Sequence, residues 1–305
     1  MEKLKVPFWP EDKALIIYLV AISTTLTLFH KEVGRWWVYV VIHAVAVVLL
    51  ITWVRFASRS QRPSVRFLRY WYIPILYTFL YEEIDAFVLG LHGRYLDHLI
   101  YRFELALFGV HPSVWMEQFA TPLLTEIMKI TYHSYYWLIP VLGFSLYLKK
   151  DFIPFRRMVF SVTIAFFISY FGFVLFPIEG PRYALAHLYE GPLTGYGITA
   201  LQDLIMKYGS LHGGCMPSSH VAVAFVVLML AWTYRRRIAL VMTPLVVGLC
   251  VSTIYNRYHY VSDVVMGLVV GVAAFYWGKL VYPDALSVPE KKEQEEQRFS
   301  VSPGS

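Results

Sequence analysis

Two short stretches hold the residues best suited to chemistry. In "YNRYHYVSDVVMG", residues 255–267, His259 and Asp263 stand four apart. On a helix that spacing puts both on one face, where the carboxylate can accept a hydrogen bond from one ring nitrogen and leave the other as a lone-pair nucleophile. In "GGCMPSSHVAVAF", residues 213–225, turn formers and hydroxyls give way to an apolar helix, with His220 at the join. Ser218 and Ser219 fall at that helix's N-terminus, where backbone N–H groups and the helix dipole favour an anion. Arg182, in "IEGPRY", adds a planar fork of donors that suits a phosphate, and Arg257 is a second candidate cation beside His259. The set describes a phosphate cradle with one histidine to attack and another to protonate the leaving oxygen. Each piece alone has a structural reading: an interfacial hydrogen-bonder, helix support, a snorkelling charge. Their convergence points to catalysis.

A membrane protein must position them. The 305 residues are 57% hydrophobic, 17% aromatic and only 16% charged, which excludes a soluble globular domain. Eight windows approach the roughly 20 apolar residues of a bilayer span: 14–29, 36–54, 70–90, 122–148, 157–178, 218–234, 238–255 and 262–282. The expected fold class is all-α, a polytopic membrane helix bundle of about eight transmembrane helices, six of them a catalytic core. "RYLDHLIYRFELALFG" places Leu96, Leu99, Ile100, Phe103 and Leu107 at helical spacing and predicts an interfacial amphipathic helix. The organisation expected is two N-terminal spans and a basic loop over 1–64, the membrane core over 65–282 and a polar tail over 283–305. Cys215 and Cys250 lack the spacing of a disulfide framework or a zinc site.

Basic loops stay in the cytoplasm. Arg55 to Arg69, Lys149 to Arg157 and Arg235 to Arg237 fall in alternate connections, so both termini are expected inside and the histidine-bearing ends on the extracytoplasmic face. The formal net charge of +6 thus reads as membrane orientation, with no nucleic-acid partner. Glu82, Glu83 and Asp85 in the third window need partners or water, as interhelical bonders or as support for the site. His133 with Tyr132, Tyr135 and Tyr136 reads as bundle packing and an aromatic lining for lipid.

"MPSSH" before an apolar helix and "HYVSD" opening another resemble the type 2 phosphatidic acid phosphatase superfamily, especially its inositol phosphorylceramide synthase-like branch, over about residues 65–282. The resemblance implies His259 as the nucleophile that becomes phosphohistidine, Asp263 as its orienter, His220 as general acid and then base, and Ser218 and Ser219 at the phosphate. It implies neither metal nor other cofactor, although His220, His259 and Asp263 are ligand types and by themselves leave a metal-dependent hydrolase open. The chain departs from the pattern of the soluble members: Leu175 stands where a lysine would fall, Ser252 and Thr253 lack the following arginine, and Ser219 replaces a glycine. The function expected is dephosphorylation of a lipid phosphate at the outer membrane face. The first alternative is a lipid headgroup phosphotransferase with an alcohol acceptor, and the second a non-catalytic lipid transporter or binding protein.

Overall fold

The computed structural model describes residues 8–31, 33–89, 92–209 and 212–283, so nearly all of the expected polar tail lies outside the described residues. In chain order the helices are α1 (Pro10–Leu28), α2 (Trp36–Arg59), α3 (Pro63–Glu82), α4 (Asp97–Phe108), α5 (Pro112–Trp115), α6 (Pro122–His133) and α7 (Tyr135–Tyr147). They continue with α8 (Phe152–Leu175), α9 (Pro181–Ala184), α10 (Gly197–Gly209), α11 (Ser219–Tyr234), α12 (Arg236–Tyr255) and α13 (Val261–Val281). The fold is an all-α bundle; a single isolated bridge, Ile178 to Gly214, is the only β pairing among the described residues.

The expectation of about eight transmembrane helices is overturned. Four helices, α2, α8, α12 and α13, are long and apolar enough to cross a membrane, and α11 is a shorter apolar helix. The 122–148 window breaks at Ser134 into α6 and α7, of 12 and 13 residues, each too short for a hydrocarbon core of roughly 30 Å at about 1.5 Å per residue. Helix α1 opens on Glu11 and Asp12, and α3 mixes Arg66 and Arg69 with tyrosines. The charges at its start count against α1, whereas in α3 the aromatic content made the segment look more apolar than its polar atoms allow.

Helix α11 forms the centre, packed on α8, α12 and α13. Val221, Ala222, Val223, Ala224, Val226 and Val227 are fully buried along it. Its approach to α13 is a main-chain contact: a Cβ added at Gly267 would lie 2.6 Å from the Ser218 carbonyl oxygen, and one at Gly271 2.8 Å from that of Ala222. Only glycine permits this approach. By contrast α2 presents Val41, Val45, Val48 and Leu49 outward, as a lipid-facing helix does.

The two ends of the bundle differ. At one, Arg69 forms a bidentate pair with Asp12 at 2.9 and 2.5 Å, Arg156 bonds Glu11 at 3.0 Å, Tyr282 donates to Glu11 at 2.5 Å, and Arg235 pairs with Asp151. The starts of α1, α3 and α8 are thereby tied to the end of α13. The C-terminus of α8 and the N-termini of α11 and α13 lie at the other end, with the histidines.

Candidate active site

The loop between α12 and α13 turns on Thr253, whose carbonyl accepts the backbone N–H groups of Tyr258 at 2.9 Å and His259 at 3.0 Å. Asp263, third residue of α13, reaches back to the Tyr260 N–H through Oδ2 at 2.9 Å, capping the helix. The same oxygen lies 3.4 Å from His259 Nδ1, with His259 4% exposed and Asp263 fully buried. His259 stands before the N-cap of α13 and not on the helix, so the loop rather than a shared helix face brings the two groups together, and Nδ1 makes no hydrogen bond among the described residues. His220 sits in the first turn of α11, its ring centroid 6.1 Å from that of His259. The Ser218 N–H donates to the Asp263 carbonyl at 3.0 Å and joins the two motifs through the backbone.

The hydroxyl of Ser218 accepts the Val221 N–H at 3.4 Å, which makes it the N-cap of α11. Ser219 is buried at the start of the helix. The Arg182 N–H donates to the Arg257 carbonyl at 2.9 Å, placing Arg182 on the loop that carries His259. Its Nη1 is buried with no hydrogen-bond partner among the described residues. Arg257 differs: its fork bonds Glu117 Oε1 and the Gly191 carbonyl, both at 2.8 Å, and it lies 3.9 Å over the Tyr189 ring. One arginine thus keeps an unpartnered buried donor, and the other fastens a loop.

The amphipathic helix is present as α4, and it carries two residues the sequence reading passed over. Asp97 Oδ2 accepts the Glu179 N–H at 2.8 Å, while Oδ1 accepts the Gly180 N–H at 2.8 Å and the Tyr260 hydroxyl at 3.1 Å. Glu104 Oε1 accepts the Ser262 N–H at 2.7 Å and its hydroxyl at 2.8 Å. Two buried carboxylates on α4 therefore strap the Arg182 loop and the N-terminus of α13 together. Burial pushes the Glu104 carboxyl up, against the pull of its Ser262 bonds, and does the same at Glu179. Gly180 adopts φ +101°, and a Cβ there would meet Cys215 Sγ at 2.8 Å and the Tyr258 carbonyl oxygen at 3.0 Å.

Ligand atoms of Cys215, His259 and Asp263 lie within 4.8 Å of one another, a proximity that spacing did not reveal. The Cys215 thiol donates to the carbonyls of Glu179 at 3.3 Å and Tyr258 at 3.4 Å. Burial, with the nearby carboxylates of Asp263, Asp97 and Glu179, pushes the thiol well above its usual range. Cys250 is also a free thiol.

Around His220 stand aromatic groups expected as bundle packing and a lining for lipid, with acceptor recognition as the alternative. The Tyr132 hydroxyl lies 3.2 Å from His220 Nε2, and the Tyr135 ring lies 4.5 Å from the imidazole, centre to centre. Lys129, one turn before Tyr132, donates to Asp203 at 2.8 Å and to the Tyr258 hydroxyl at 2.9 Å. A lysine inside an apolar window was the available signal for it. Of the acidic cluster, Glu83 pairs with His43 at 2.9 Å, Asp85 accepts the His212 N–H at 3.3 Å and Glu82 is exposed. His133 Nδ1 lies 3.4 Å from Gln202 Oε1.

Residues 98–277 match the profile of the PAP2 superfamily. Over 188 residues the chain is 26% identical to a PA-phosphatase related-family protein of Dictyostelium discoideum, covering 55% of this chain and 34% of that one. Over 191 residues it is 23% identical to a phosphoinositol dihydroceramide synthase of Bacteroides thetaiotaomicron, covering 55% of this chain and 62% of the relative. The chain thus spans about a third of the first relative's length and about three-fifths of the second's. No solved structure matches.

Proposed function

The chain belongs to the PAP2 superfamily, and from that premise we propose that it is a metal-independent phosphotransferase that moves a phosphate-bearing headgroup from one lipid to an alcohol, in the manner of inositol phosphorylceramide synthases. The observation that carries this reading is the pair of histidine rings facing each other at 6.1 Å, beside an arginine whose Nη1 has no partner. His259 Nδ1 faces Asp263, which leaves Nε2 to attack phosphorus. As the P–N bond forms, the bond from phosphorus to the donor lipid's oxygen breaks, and His220 gives its proton to that oxygen. In the second half the acceptor hydroxyl gives its proton to His220, its oxygen attacks phosphorus, and the P–N bond to His259 breaks. Arg182 binds the phosphoryl oxygens through both halves.

Two features favour an alcohol over water as the second attacker. Tyr132 and Tyr135 wall His220 with apolar rings, so a lipid alcohol is admitted where water is disfavoured. One relative's name is that of a synthase joining phosphoinositol to dihydroceramide. The basic connections at the opposite end support a cytoplasmic position for that end and for both termini, with the histidines at the outer face; labelling of cysteines placed beside the two motifs tests this. The activity is tested by giving the purified protein phosphatidylinositol with ceramide, with diacylglycerol or with no acceptor. A new phospholipid that needs the acceptor is expected. Water-soluble phosphate released at the same rate in all three mixtures would make the enzyme a hydrolase, and no turnover of any phospholipid or lipid phosphate would end the reading.

A further inference from the structure

The seam between α6 and α10 holds charged groups that the reaction above does not use. Lys129 is nearly sealed, its side chain 5% exposed, whereas that of its partner Asp203 is 53% exposed. A sealed cation held by a carboxylate that can turn into water is an exchangeable pair. The Tyr258 hydroxyl accepts from Lys129 at 2.9 Å. Burial raises the Tyr258 phenol, while the charges of Lys129 and Arg182 both pull it down. The Tyr132 ring packs 4.8 Å from that of Tyr258, centre to centre, and its hydroxyl touches His220. Lys129 is thus linked to His220 through two packed rings, Tyr258 and Tyr132.

Helix α10 is tethered at its first turn. Glu126 of α6 accepts the N–H groups of Tyr196 and Ile198 at 2.7 Å and of Thr199 at 3.1 Å, and the Thr199 hydroxyl at 2.7 Å. Asp203 lies beyond that tether. Next to it, Gln202 is fully buried, and its Nε2 has no hydrogen-bond partner among the described residues. A buried amide donor without an acceptor costs free energy, and a ligand that brings acceptor oxygens removes that cost. The seam as it stands offers donors from Lys129 and Gln202, and its one anionic acceptor on Lys129 comes from an exposed side chain.

We propose that Lys129 is a second phosphate-binding cation of the active site, and that Asp203 of α10 is the carboxylate that occupies it until a phosphate takes its place. The proposal rests on the phosphotransfer reading. It supplies positive charge that Arg257, bound to Glu117 and Gly191, does not offer. On phosphate binding the Lys129–Asp203 ion pair opens, Asp203 turns to water, and phosphate oxygens accept from Lys129 and from Gln202 Nε2.

The test uses the purified full chain and inorganic phosphate as the probe, with thermal unfolding followed against phosphate concentration at constant ionic strength. Asp203→Asn frees the cation and lowers the phosphate concentration for half-maximal stabilisation severalfold. Lys129→Met raises it about tenfold or more, the loss of one charge-assisted bond. Opposite signs from the two halves of one ion pair are the expected result. If both variants merely lower the unfolding temperature without phosphate, and the phosphate dependence stays as in the wild type, the pair is structural and the proposal falls. Should Lys129→Met fail to fold, Asp203→Asn decides alone, and an unchanged phosphate midpoint overturns the idea. A wild-type protein that does not respond to phosphate refutes this site together with the phosphate cradle. One that responds as described yet transfers no headgroup refutes only the proposed function.

Discussion

Asp97→Asn should uncouple the two loops that build the site. Both carboxylate oxygens are occupied, Oδ2 by the Glu179 N–H and Oδ1 by the Gly180 N–H and the Tyr260 hydroxyl. An amide oxygen placed at Oδ1 keeps the last two, but the NH2 group then faces the Glu179 N–H, donor against donor. One charge-assisted bond, worth about 1.5–3 kcal/mol, is lost, and a buried N–H is left at a further cost of about 1–3 kcal/mol. With partial relaxation the net is roughly 3 kcal/mol, a large share of the stability of a folded domain. Because Glu179 and Gly180 lead directly into Arg182, turnover should fall by more than tenfold, beyond any loss of folded protein. The assay is equilibrium unfolding in mixed micelles, with initial rates corrected for the folded fraction. Stability within about 0.5 kcal/mol of wild type together with unchanged rates would refute the reasoning that α4 positions the site.

The same substitution at Glu104 has the opposite expectation, since both Ser262 bonds go to Oε1 and an amide oxygen can keep them. Burial raises the Glu104 carboxyl above its ordinary value of 4.5, so the native state holds this proton more tightly than the unfolded chain does. Stability from this group is therefore lost as pH rises from about that value through the raised native one, and Glu104→Gln should flatten that limb and leave stability at neutral pH equal or higher; unfolding free energies between these limits check it. Arg182→Lys keeps charge but loses the fork, and should lower kcat/KM about 10- to 150-fold for about 1.5–3 kcal/mol of charge-assisted bonding; unchanged efficiency would remove Arg182 from the cradle. Arg257→Lys should lower the unfolding temperature through its lost bonds to Glu117 and Gly191, with a smaller effect on kcat/KM. His259→Ala should abolish an acid-labile phosphoenzyme in rapid-quench assays. His220→Ala should spare part of the first step on an aryl phosphate, whose leaving group scarcely needs a proton, and equal losses on alkyl and aryl substrates would refute the assigned roles.

What the sequence made legible was local. His259 and Asp263 are four residues apart, and the apolar run that follows encodes the helix whose first turn holds Asp263, while His259 lies in the loop just before it. The amphipathic period of α4 was equally plain. The sealed carboxylates of Asp97 and Glu104 were not, because in the sequence they occupy a polar face, and the groups that bury them lie 82 to 163 residues away. Lys129 was hidden for the same reason: its partners Asp203 and Tyr258 come from α10 and the α12–α13 loop. The span count failed for a different cause. Tyrosine and tryptophan make a segment hydrophobic by composition, yet their hydroxyl and indole groups, with interspersed arginines, lower its fitness for lipid. The break at Ser134 has no glycine to announce it, and Pro140 lies later, inside α7.

The glycine contacts between α13 and α11 make the spacing of the two histidines a property of the main chain. Gly267 and Gly271 press against the carbonyls of Ser218 and Ala222, so His220 and the helix that follows His259 ride on what is mechanically one part. Side chains elsewhere can change without altering that gap. A redesign that seeks a new headgroup or acceptor should therefore leave this seam untouched. Enlarging either glycine would have the reverse result, a protein whose binding surfaces survive and whose histidines no longer meet across one phosphorus atom.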